Sequence, residues 1–246
     1  MDLTQAAMYY SEQLITPNYL CDQYDNLAPW SLVRLFQEIA CLHSRRHGIG
    51  FSELIEQGRA WVICRAYYRF DRLPHEEEPV TLKTWSRGTD GLFAFRDSLM
   101  TDRQGTPIVS STTYWAIMEL GTRHVMRMHD FMDSFPIMEE LATDREQLPR
   151  LRIPKGVAMP EPVAQFRVVP SMLDHTNHVN NAEYVRWIFD TLPQGTNIPM
   201  PYHLCIEYQQ ETQLSEAVSI HSIPMPGATC FQIANSRGTA VLATIY

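Results

Sequence analysis

Polar side chains that are able to act as acids, bases or hydrogen-bond donors are concentrated in one segment, SMLDHTNHVNNAEYVRW, at the start of an apolar helical run. They are Asp174, Thr176, Asn177, His178, Asn180 and Asn181. His178 shares a tight turn with Asp174, and the N-terminus of the following helix supplies N–H groups that polarise a carbonyl or stabilise an oxyanion. This combination indicates a functional site at the turn.

Each of these residues also has a purely structural interpretation. Asn180 or Asn181 alone is explained by capping of the helix N-terminus, and His178 alone by a hydrogen-bonded structural histidine. Further carboxylates stand in the strand-like segment EYQQE, where alternation predicts that Glu207 and Glu211 share one face of a strand. A solvated strand residue is the simpler interpretation of Glu207.

The first half of the sequence predicts one long helix followed by several strands. Apolar residues fall at helical spacing in PWSLVRLFQEIACLHSRRHG, and strand-like segments follow: WVICRAYYRF, VTLKTWSRG, LFAFRDSLMTD and TPIVSSTTYWAIME. The same order returns later as FRVVPS, the helical AEYVRWIFDTL, and the strand-like HLCIEYQQET, AVSIHSIPM, TCFQIANS and TAVLATIY. A helix that packs on an antiparallel sheet in each half predicts the α+β class.

A proline-rich stretch, LPRLRIPKGVAMPEPVAQ, separates the two halves and disfavours regular structure. We therefore predict an N-terminal domain at residues 1–148, a linker at 149–165 and a C-terminal domain at 166–246. Residue-level similarity indicates an internal duplication. VRLF at 33–36 aligns with VRWI at 185–188, and QGTPIVSSTTY aligns with RGTAVLATIY.

Composition narrows the class of protein. The net charge of -8 over 246 residues argues against a nucleic-acid-binding protein, because phosphate contacts need clustered Lys and Arg. The five cysteines lack CxxC spacing, which favours free thiols in a reducing compartment over structural zinc. The segment MDLTQAAMYYSEQL resembles neither a signal peptide nor a membrane anchor, and no run approaches the ~20 apolar residues that span a bilayer. These features predict a cytoplasmic protein.

Several motifs in a shared order resemble the acyl-acyl carrier protein thioesterases of plant plastids and bacteria, over nearly the whole chain. In the first half they are FQEIACLHSRRHG, WVICRAYYRFDRLPHEEEPVTLKTWSRG and FAFRDS. In the second half they are Asp174 with HVNN at 178–181, then Tyr184 and Trp187, and EYQQE at 207–211. Single hot-dog thioesterases that act on coenzyme A esters share the HVNN turn, but chain length and the TW-containing strand favour the double form.

The resemblance implies a tandem (double) hot-dog fold with two antiparallel sheets, each wrapped around a long helix. The N-terminal domain is expected to bind the acyl chain and the C-terminal domain to catalyse hydrolysis of fatty acyl-acyl carrier protein thioesters, without a cofactor or metal. By position, Asp174, His178 and Glu211 match the family's catalytic Asp, His and Glu. Thr176 stands where the family usually has Asn, and its hydroxyl can hydrogen-bond water or a carboxylate with a shorter reach and no amide donor. Thr212 stands where plant members often have Cys, which excludes a cysteine nucleophile there.

The mechanistic hypothesis is hydrolysis by activated water. Glu211, or Asp174 with its help, removes a proton from water, while His178 and helix-start N–H groups stabilise charge on the thioester oxygen. No GxSxG motif indicates a serine nucleophile, and direct carboxylate attack to form an anhydride stays open. The alternatives are a coenzyme A thioesterase or hot-dog dehydratase, which uses the same turn, and a non-catalytic acyl-binding protein.

Acyl carrier protein is the implied partner. It is acidic in this family, so docking on an acidic chain needs a local basic patch. The candidates are Arg45, Arg46, Arg65, Arg69, Arg72 and Arg87. Aromatic candidates for an acyl tunnel, most of them expected to be plain core, are Trp61, Tyr67, Trp85, Phe93, Phe95, Tyr114 and Trp115. A monomer or a homodimer is expected, since duplication can supply internally the pairing that single hot-dog proteins obtain by dimerising.

Overall fold

The chain divides into two compact units, Met1–Leu148 and Pro149–Tyr246, in this computed structural model. The structure describes residues 8–133, 135–153, 156–193 and 198–246. Residues 1–7 of the predicted N-terminal domain, and Pro154 and Lys155 of the predicted linker, lie outside these ranges.

The first unit combines a long helix with antiparallel strands. Its elements are β1 (Tyr9–Ile15), α1 (Pro29–Arg46), α2 (Phe51–Glu56), β2 (Arg59–Phe70), β3 (Pro79–Thr89), β4 (Ala94–Thr101), β5 (Pro107–Glu119) and α3 (His129–Met132). The strands pair antiparallel in the order β1-β3-β4-β5-β2. Sequence reasoning missed β1, because this segment is recognisable as a strand only through its pairing with β3, far along the chain.

Helix α1 forms where the sequence places apolar residues at helical spacing. Pro29 opens it, because the first helical turn needs no N–H donor from that residue. Its apolar side chains are buried and pack toward β1 and β3. Burial of one such side chain stabilises the fold by ~1.5–3 kcal/mol when it is fully removed from water. The fully or nearly fully buried members are Leu32, Val33, Phe36 and Ile39. The long helix of the first half is therefore positioned as the periodicity predicts.

A buried carboxylate ties the end of the first unit to its sheet. Asp97 of β4 has no exposed surface, accepts a hydrogen bond from Ala142 N at 2.8 Å, and lies 3.5 Å from Arg87 Nε. Burial raises the pKa of Asp97 to about 6, although the Arg87 charge and hydrogen bonds act in the opposite direction. The side chain of Arg87 is itself only 7% exposed, which removes it from the candidate docking residues.

The second unit repeats this layout with a shorter helix. Its elements are β6 (Ala164–Arg167), α4 (Asn181–Asp190), β7 (Tyr202–Tyr208), β8 (Ala217–Met225), β9 (Ala228–Asn235) and β10 (Gly238–Ile245). The strands pair antiparallel in the order β7-β10-β9-β8-β6. Strand β6 begins two residues inside the predicted linker, because Ala164 already pairs with Ile220 of β8.

Helix α4 has 10 residues, compared with 18 in α1. The Thr191 hydroxyl donates to Ile188 O at 2.8 Å at its C-terminus, and Pro193 follows, which cannot continue a helix. The buried face is anchored by Trp187, whose ring centroid lies 4.8 Å from that of Phe166 on β6. With a helix and an antiparallel set of strands in each unit, the predicted α+β class is confirmed.

Two further features concern the whole of the described chain. All five cysteines are free thiols. Across the described residues no helix is both long enough and apolar enough to cross a bilayer.

Candidate active site

The polar segment before α4 folds into a tight turn whose backbone is held at both ends. Asp174 N donates to His178 O at 2.8 Å, and Asn177 N donates to Asp174 O at 3.0 Å. Thr176 N donates to the Asp174 carboxylate at 2.8 Å, and Asn177 has a φ of 61°, in the left-handed region that Asn tolerates. The turn therefore fixes Asp174, Thr176 and His178 in one compact frame.

The side chains of the four predicted site residues form a continuous series of contacts. Thr176 Oγ1 donates to Asp174 Oδ1 at 2.5 Å and lies 3.1 Å from His178 Nδ1. His178 Nε2 lies 3.2 Å from Glu211 Oε2. The side chains of His178 and Glu211 are 25% and 22% exposed, so water has access to this end of the series.

The number of protons on Thr176 and His178 determines which of their atoms donate and which accept in this series. A carboxylate only accepts hydrogen bonds, so the single hydroxyl proton of Thr176 points to Asp174, and its oxygen is left to accept Nδ1–H of His178. Nε2 of a neutral imidazole would then present a lone pair to Glu211. All three contacts are hydrogen bonds only when His178 carries both protons. The hydroxyl of Thr176 and the imidazole of His178 therefore link the carboxyl groups of Asp174 and Glu211 in one series of contacts.

Glu211 reaches His178 from a loop and not from a strand, which corrects the sequence-based prediction. Strand β7 ends at Tyr208, because Gln209 N and Gln210 N both donate to Ala240 O and interrupt the strand alternation. Glu207 and Glu211 therefore do not share a strand face. Glu207 accepts a hydrogen bond from Leu151 N at 2.6 Å, so its carboxylate has a structural partner within the second unit.

The loop that carries Glu211 is attached to the turn at residues 174–178. Val179 N donates to Thr212 O at 2.9 Å, and His178 forms an isolated β-bridge with Gln213. Thr212 is fully buried and hydrogen-bonds Tyr184 of α4. Burial raises the pKa of Tyr184 to about 12, so its phenol stays protonated and serves as a fixed hydrogen-bonding group.

The two asparagines at the start of α4 have different roles. Asn180 is the N-cap residue, and its Oδ1 accepts a hydrogen bond from Ala182 N at 2.9 Å, so the capping interpretation holds for it. Asn181 is the first residue of the helix, and no described residue accepts a hydrogen bond from its N–H. That N–H is therefore available, beside His178 in the chain, to an oxygen atom of a ligand.

Sequence reasoning missed two residues that contact the Glu211 loop. Asn235 Nδ2 and Arg237 Nη2 both donate to the main-chain carbonyl of Glu211, at 3.0 Å and 2.5 Å. Both come from the NSRG segment where β9 turns into β10. The sequence signal was limited to a polar turn between strands, and only the folded chain brings this turn to Glu211.

The first unit contains a turn with the same backbone hydrogen bonds. Asp22 N donates to Asn26 O at 2.7 Å, and Tyr24 N donates to the Asp22 carboxylate at 2.9 Å. Asp25, like Asn177, has a left-handed φ, here 62°. The turn precedes helix α1 as its counterpart precedes α4, so the structure supports the predicted duplication.

The chemistry is absent from this first copy of the turn. Leu27 N donates to Pro74 O at 2.8 Å, as Val179 N does to Thr212 O, which makes Leu73 the counterpart of Glu211. Asn26 occupies the position of His178. The first unit therefore keeps a counterpart of Asp174 in Asp22, but it has neither the imidazole of His178 nor the carboxylate of Glu211.

A pocket in the first unit lies between α1 and the strands. Its walls include Cys41 of α1 and three of the aromatic tunnel candidates, Trp61, Phe95 and Trp115. Arg96 also lines it, donates to His43, Thr84 and Ser44, and has its pKa lowered to about 10 by burial. The candidates Tyr67, Trp85 and Tyr114 are buried core residues.

The remaining docking candidates differ in availability. Arg69 pairs with Asp71 at 2.8 Å, Arg72 pairs with Glu78 at 2.5 Å, and Arg65 donates to Leu148 O at 3.1 Å. Arg45 and Arg46, in the last turn of α1, are exposed. Among the residues described, no cluster of three or more His, Cys, Asp or Glu side chains has an arrangement suited to a metal ion.

Comparison with known proteins identifies the family to which this chain is similar. The family model of the acyl-ACP thioesterase N-terminal domain matches residues 7–135, and that of the acyl-ACP thioesterase C-terminal domain matches residues 160–240. An oleoyl-acyl carrier protein thioesterase 1 from Arabidopsis thaliana is 23% identical over 262 aligned positions, which cover 98% of this chain and 70% of the relative.

Solved structures agree on the fold. An acyl-ACP thioesterase from Bacteroides thetaiotaomicron superposes with a TM-score of 0.84 at 20% identity, with 96% of each chain covered. A 12:0-ACP thioesterase from Umbellularia californica has a TM-score of 0.84 at 17% identity, also with 96% of each chain covered. The tandem hot-dog fold is thus confirmed. Because the N-terminal family model alone spans more than half of the sequence, the chain belongs to the acyl-ACP thioesterase family.

Proposed function

We propose that this thiolester hydrolase cleaves fatty acyl-acyl carrier protein thioesters with water activated at the contact between His178 and Glu211. The observation that carries the assignment is the 3.2 Å distance from His178 Nε2 to Glu211 Oε2, at the solvent-accessible end of the series of contacts. Thioesters are intrinsically reactive acyl donors, so one oriented water and one carboxylate base are sufficient for hydrolysis.

Glu211 is the better candidate for the base. Asp174 Oδ1 already accepts two hydrogen bonds, from the backbone N–H and the hydroxyl of Thr176. Thr176 and His178 also separate Asp174 from Glu211, so Asp174 lies at the orienting end of the series. In this assignment Glu211 takes the proton from water, and Asp174 acts through Thr176 to hold the imidazole.

The developing oxyanion needs hydrogen-bond donors. The N–H of Asn181 has no described partner, and it points out of the positive end of the α4 dipole. Together with the imidazole of His178 it would stabilise negative charge on the thioester oxygen. The water oxygen bonds to the acyl carbon and gives a tetrahedral oxyanion, whose collapse breaks the C–S bond. The thiolate that leaves takes the proton that Glu211 removed from water, which regenerates the carboxylate.

The acyl chain and the carrier protein need separate binding surfaces. We assign acyl-chain binding to the domain at 1–148, supported by its pocket beside α1, and catalysis to the domain at 166–246. Exposed Arg45 and Arg46 are the docking candidates that best fit an acidic carrier protein. Free thiols favour a cytoplasmic location. The repeated frame favours a monomer or a homodimer.

The decisive experiment measures thiol release from matched acyl-acyl carrier protein and acyl-coenzyme A substrates of the same chain length. We expect a higher kcat/KM for the carrier-protein ester, and loss of turnover in Glu211→Gln. A clear preference for the coenzyme A ester would replace the substrate assignment. Binding of acyl ligands without release of any thiol would favour an acyl-binding protein instead.

A further inference from the structure

The carboxylate base of the proposed mechanism is carried by a loop, so its position depends on whatever holds that loop. Asn235, the last residue of β9, contacts it with one side-chain amide. Asn235 Nδ2 lies 3.0 Å from Glu211 O and 3.2 Å from Thr212 Oγ1. One amide group thus binds the main chain of Glu211 and the side chain of its neighbour.

The orientation of this amide is defined by its other end. Asn235 Oδ1 accepts the backbone N–H of Arg237 at 2.9 Å, so the NH₂ group is the end that faces Glu211 and Thr212. Arg237 Nη2 donates to the same carbonyl, but its side chain is 46% exposed and is shared with Glu216 at 3.3 Å. Asn235 is therefore the more firmly held of the two donors.

The first unit offers a comparison within the same chain. Alignment of Gly105 with Gly238 places Asp102 opposite Asn235. The Asp102 carboxylate accepts the backbone N–H groups of Gln104 and Thr106, both within its own turn. A carboxylate cannot donate to a main-chain carbonyl, and Asp102 instead pairs with Arg72 at 3.6 Å, beside Leu73, the counterpart of Glu211 in this unit. The amide of Asn235 is therefore present in the second unit, where the proposed base Glu211 must be held.

We propose that Asn235 is a positioning residue of this thioesterase, which fixes the Glu211 main chain so that the carboxylate meets His178 and the attacking water. The inference rests on the proposed role of Glu211 as the base. Asn235 contacts no reacting atom in this scheme and acts entirely through Glu211.

The test is the nearly isosteric substitution Asn235→Asp, which keeps the acceptor for Arg237 N and replaces the donor with a charged oxygen. A misplaced reacting group costs on the order of 100-fold, so we expect kcat on acyl-acyl carrier protein to fall roughly 10- to 100-fold with little change in KM. Ser236→Ala is the matched control, because Ser236 lies in the same turn and donates to Glu216, not to Glu211. It should keep kcat within about twofold of the parent.

A double-mutant cycle with Glu211→Ala separates positioning from general structural damage. If Asn235 acts through Glu211, Asn235→Asp should lower kcat no further in the Glu211→Ala background. An equal loss in both backgrounds would overturn the inference, as would unchanged kcat in Asn235→Asp. Asn235→Ala, which removes the donor without adding charge, completes the same cycle should the Asp variant fold poorly. Full activity of Glu211→Ala alone would instead refute the proposed function.

Discussion

Thr176 offers the sharpest test of the series of contacts, because it occupies the position where the family usually has Asn. We predict that Thr176→Val lowers kcat while Thr176→Ser and Thr176→Asn retain most activity. Valine preserves the shape of threonine and the backbone hydrogen bond from residue 176 to Asp174, and it removes only the hydroxyl. Serine keeps the hydroxyl. An asparagine amide supplies both a donor for Asp174 and an acceptor for His178.

The size of the effect follows from the two contacts of the hydroxyl. Its hydrogen bond to the Asp174 carboxylate is 2.5 Å, and its contact with His178 Nδ1 is 3.1 Å. Hydrogen bonds to charged groups contribute roughly 1.5–3 kcal/mol, and the partial exposure of His178 favours the lower half of that range. A loss of ~2 kcal/mol in the transition state corresponds to about a 30-fold lower kcat.

The assay is the steady-state release of thiol from an acyl-acyl carrier protein, with thermal unfolding measured in parallel. The reasoning is refuted if Thr176→Val stays within about threefold of the parent kcat, since that is far below the expected loss. Equal impairment of the Val and Ser variants would show that residue 176 matters for the shape of the turn and not for its hydroxyl. A large drop in melting temperature in Thr176→Val alone would also indicate that residue 176 matters for the shape of the turn.

Three other outcomes are expected. His178→Ala and Glu211→Ala should each lower kcat by roughly 100-fold or more with little change in melting temperature, and a large melting shift would indicate a structural role instead. Asn180→Ala should lower the free energy of unfolding in urea by ~1 kcal/mol through loss of the α4 cap, and an unchanged value would contradict the capping role. The folded-state pKa of Asp97, about 6, exceeds its unfolded value. The contribution of this carboxyl group to the free energy of unfolding is therefore present below about pH 4 and is lost as pH rises through 6. Parent stability relative to Asp97→Asn should therefore fall by up to ~3 kcal/mol between pH 4 and pH 7.5, and a pH-independent difference in urea unfolding would exclude this.

Local patterns in the sequence predicted those parts of the fold that depend on near neighbours. Helix α1 was recognisable because its apolar residues repeat at helical spacing, and its end coincides with basic residues before Gly48. The proximity of Asp174 and His178 was equally predictable, because a tight turn keeps these residues together whatever the rest of the chain does. The contacts that Thr176 makes with both of them came only from the structure.

Long-range pairing set the limits of sequence reasoning. The alternation of side chains along a strand predicted that Glu207 and Glu211 share one face. In the structure the Ala240 carbonyl accepts hydrogen bonds from two consecutive N–H groups, of Gln209 and Gln210, and β7 ends before Glu211. Nothing in the segment EYQQE itself predicts that its N–H groups will share the carbonyl of Ala240. Asn235 was missed for the same reason, because its contact with Glu211 exists only after β9 and β10 have paired.

The turn at Asp22 in the first unit has the backbone hydrogen bonds of the turn at Asp174 but different side chains at two key positions. Both halves need this loop to lead the chain into its helix, so a damaged loop would harm folding in either half. The two turns thus share the same backbone frame, and they differ in chemistry through Asn26 in place of His178 and Leu73 in place of Glu211. A backbone frame that is independent of these side chains lets one fold carry the proposed reactive groups in a single half of the chain.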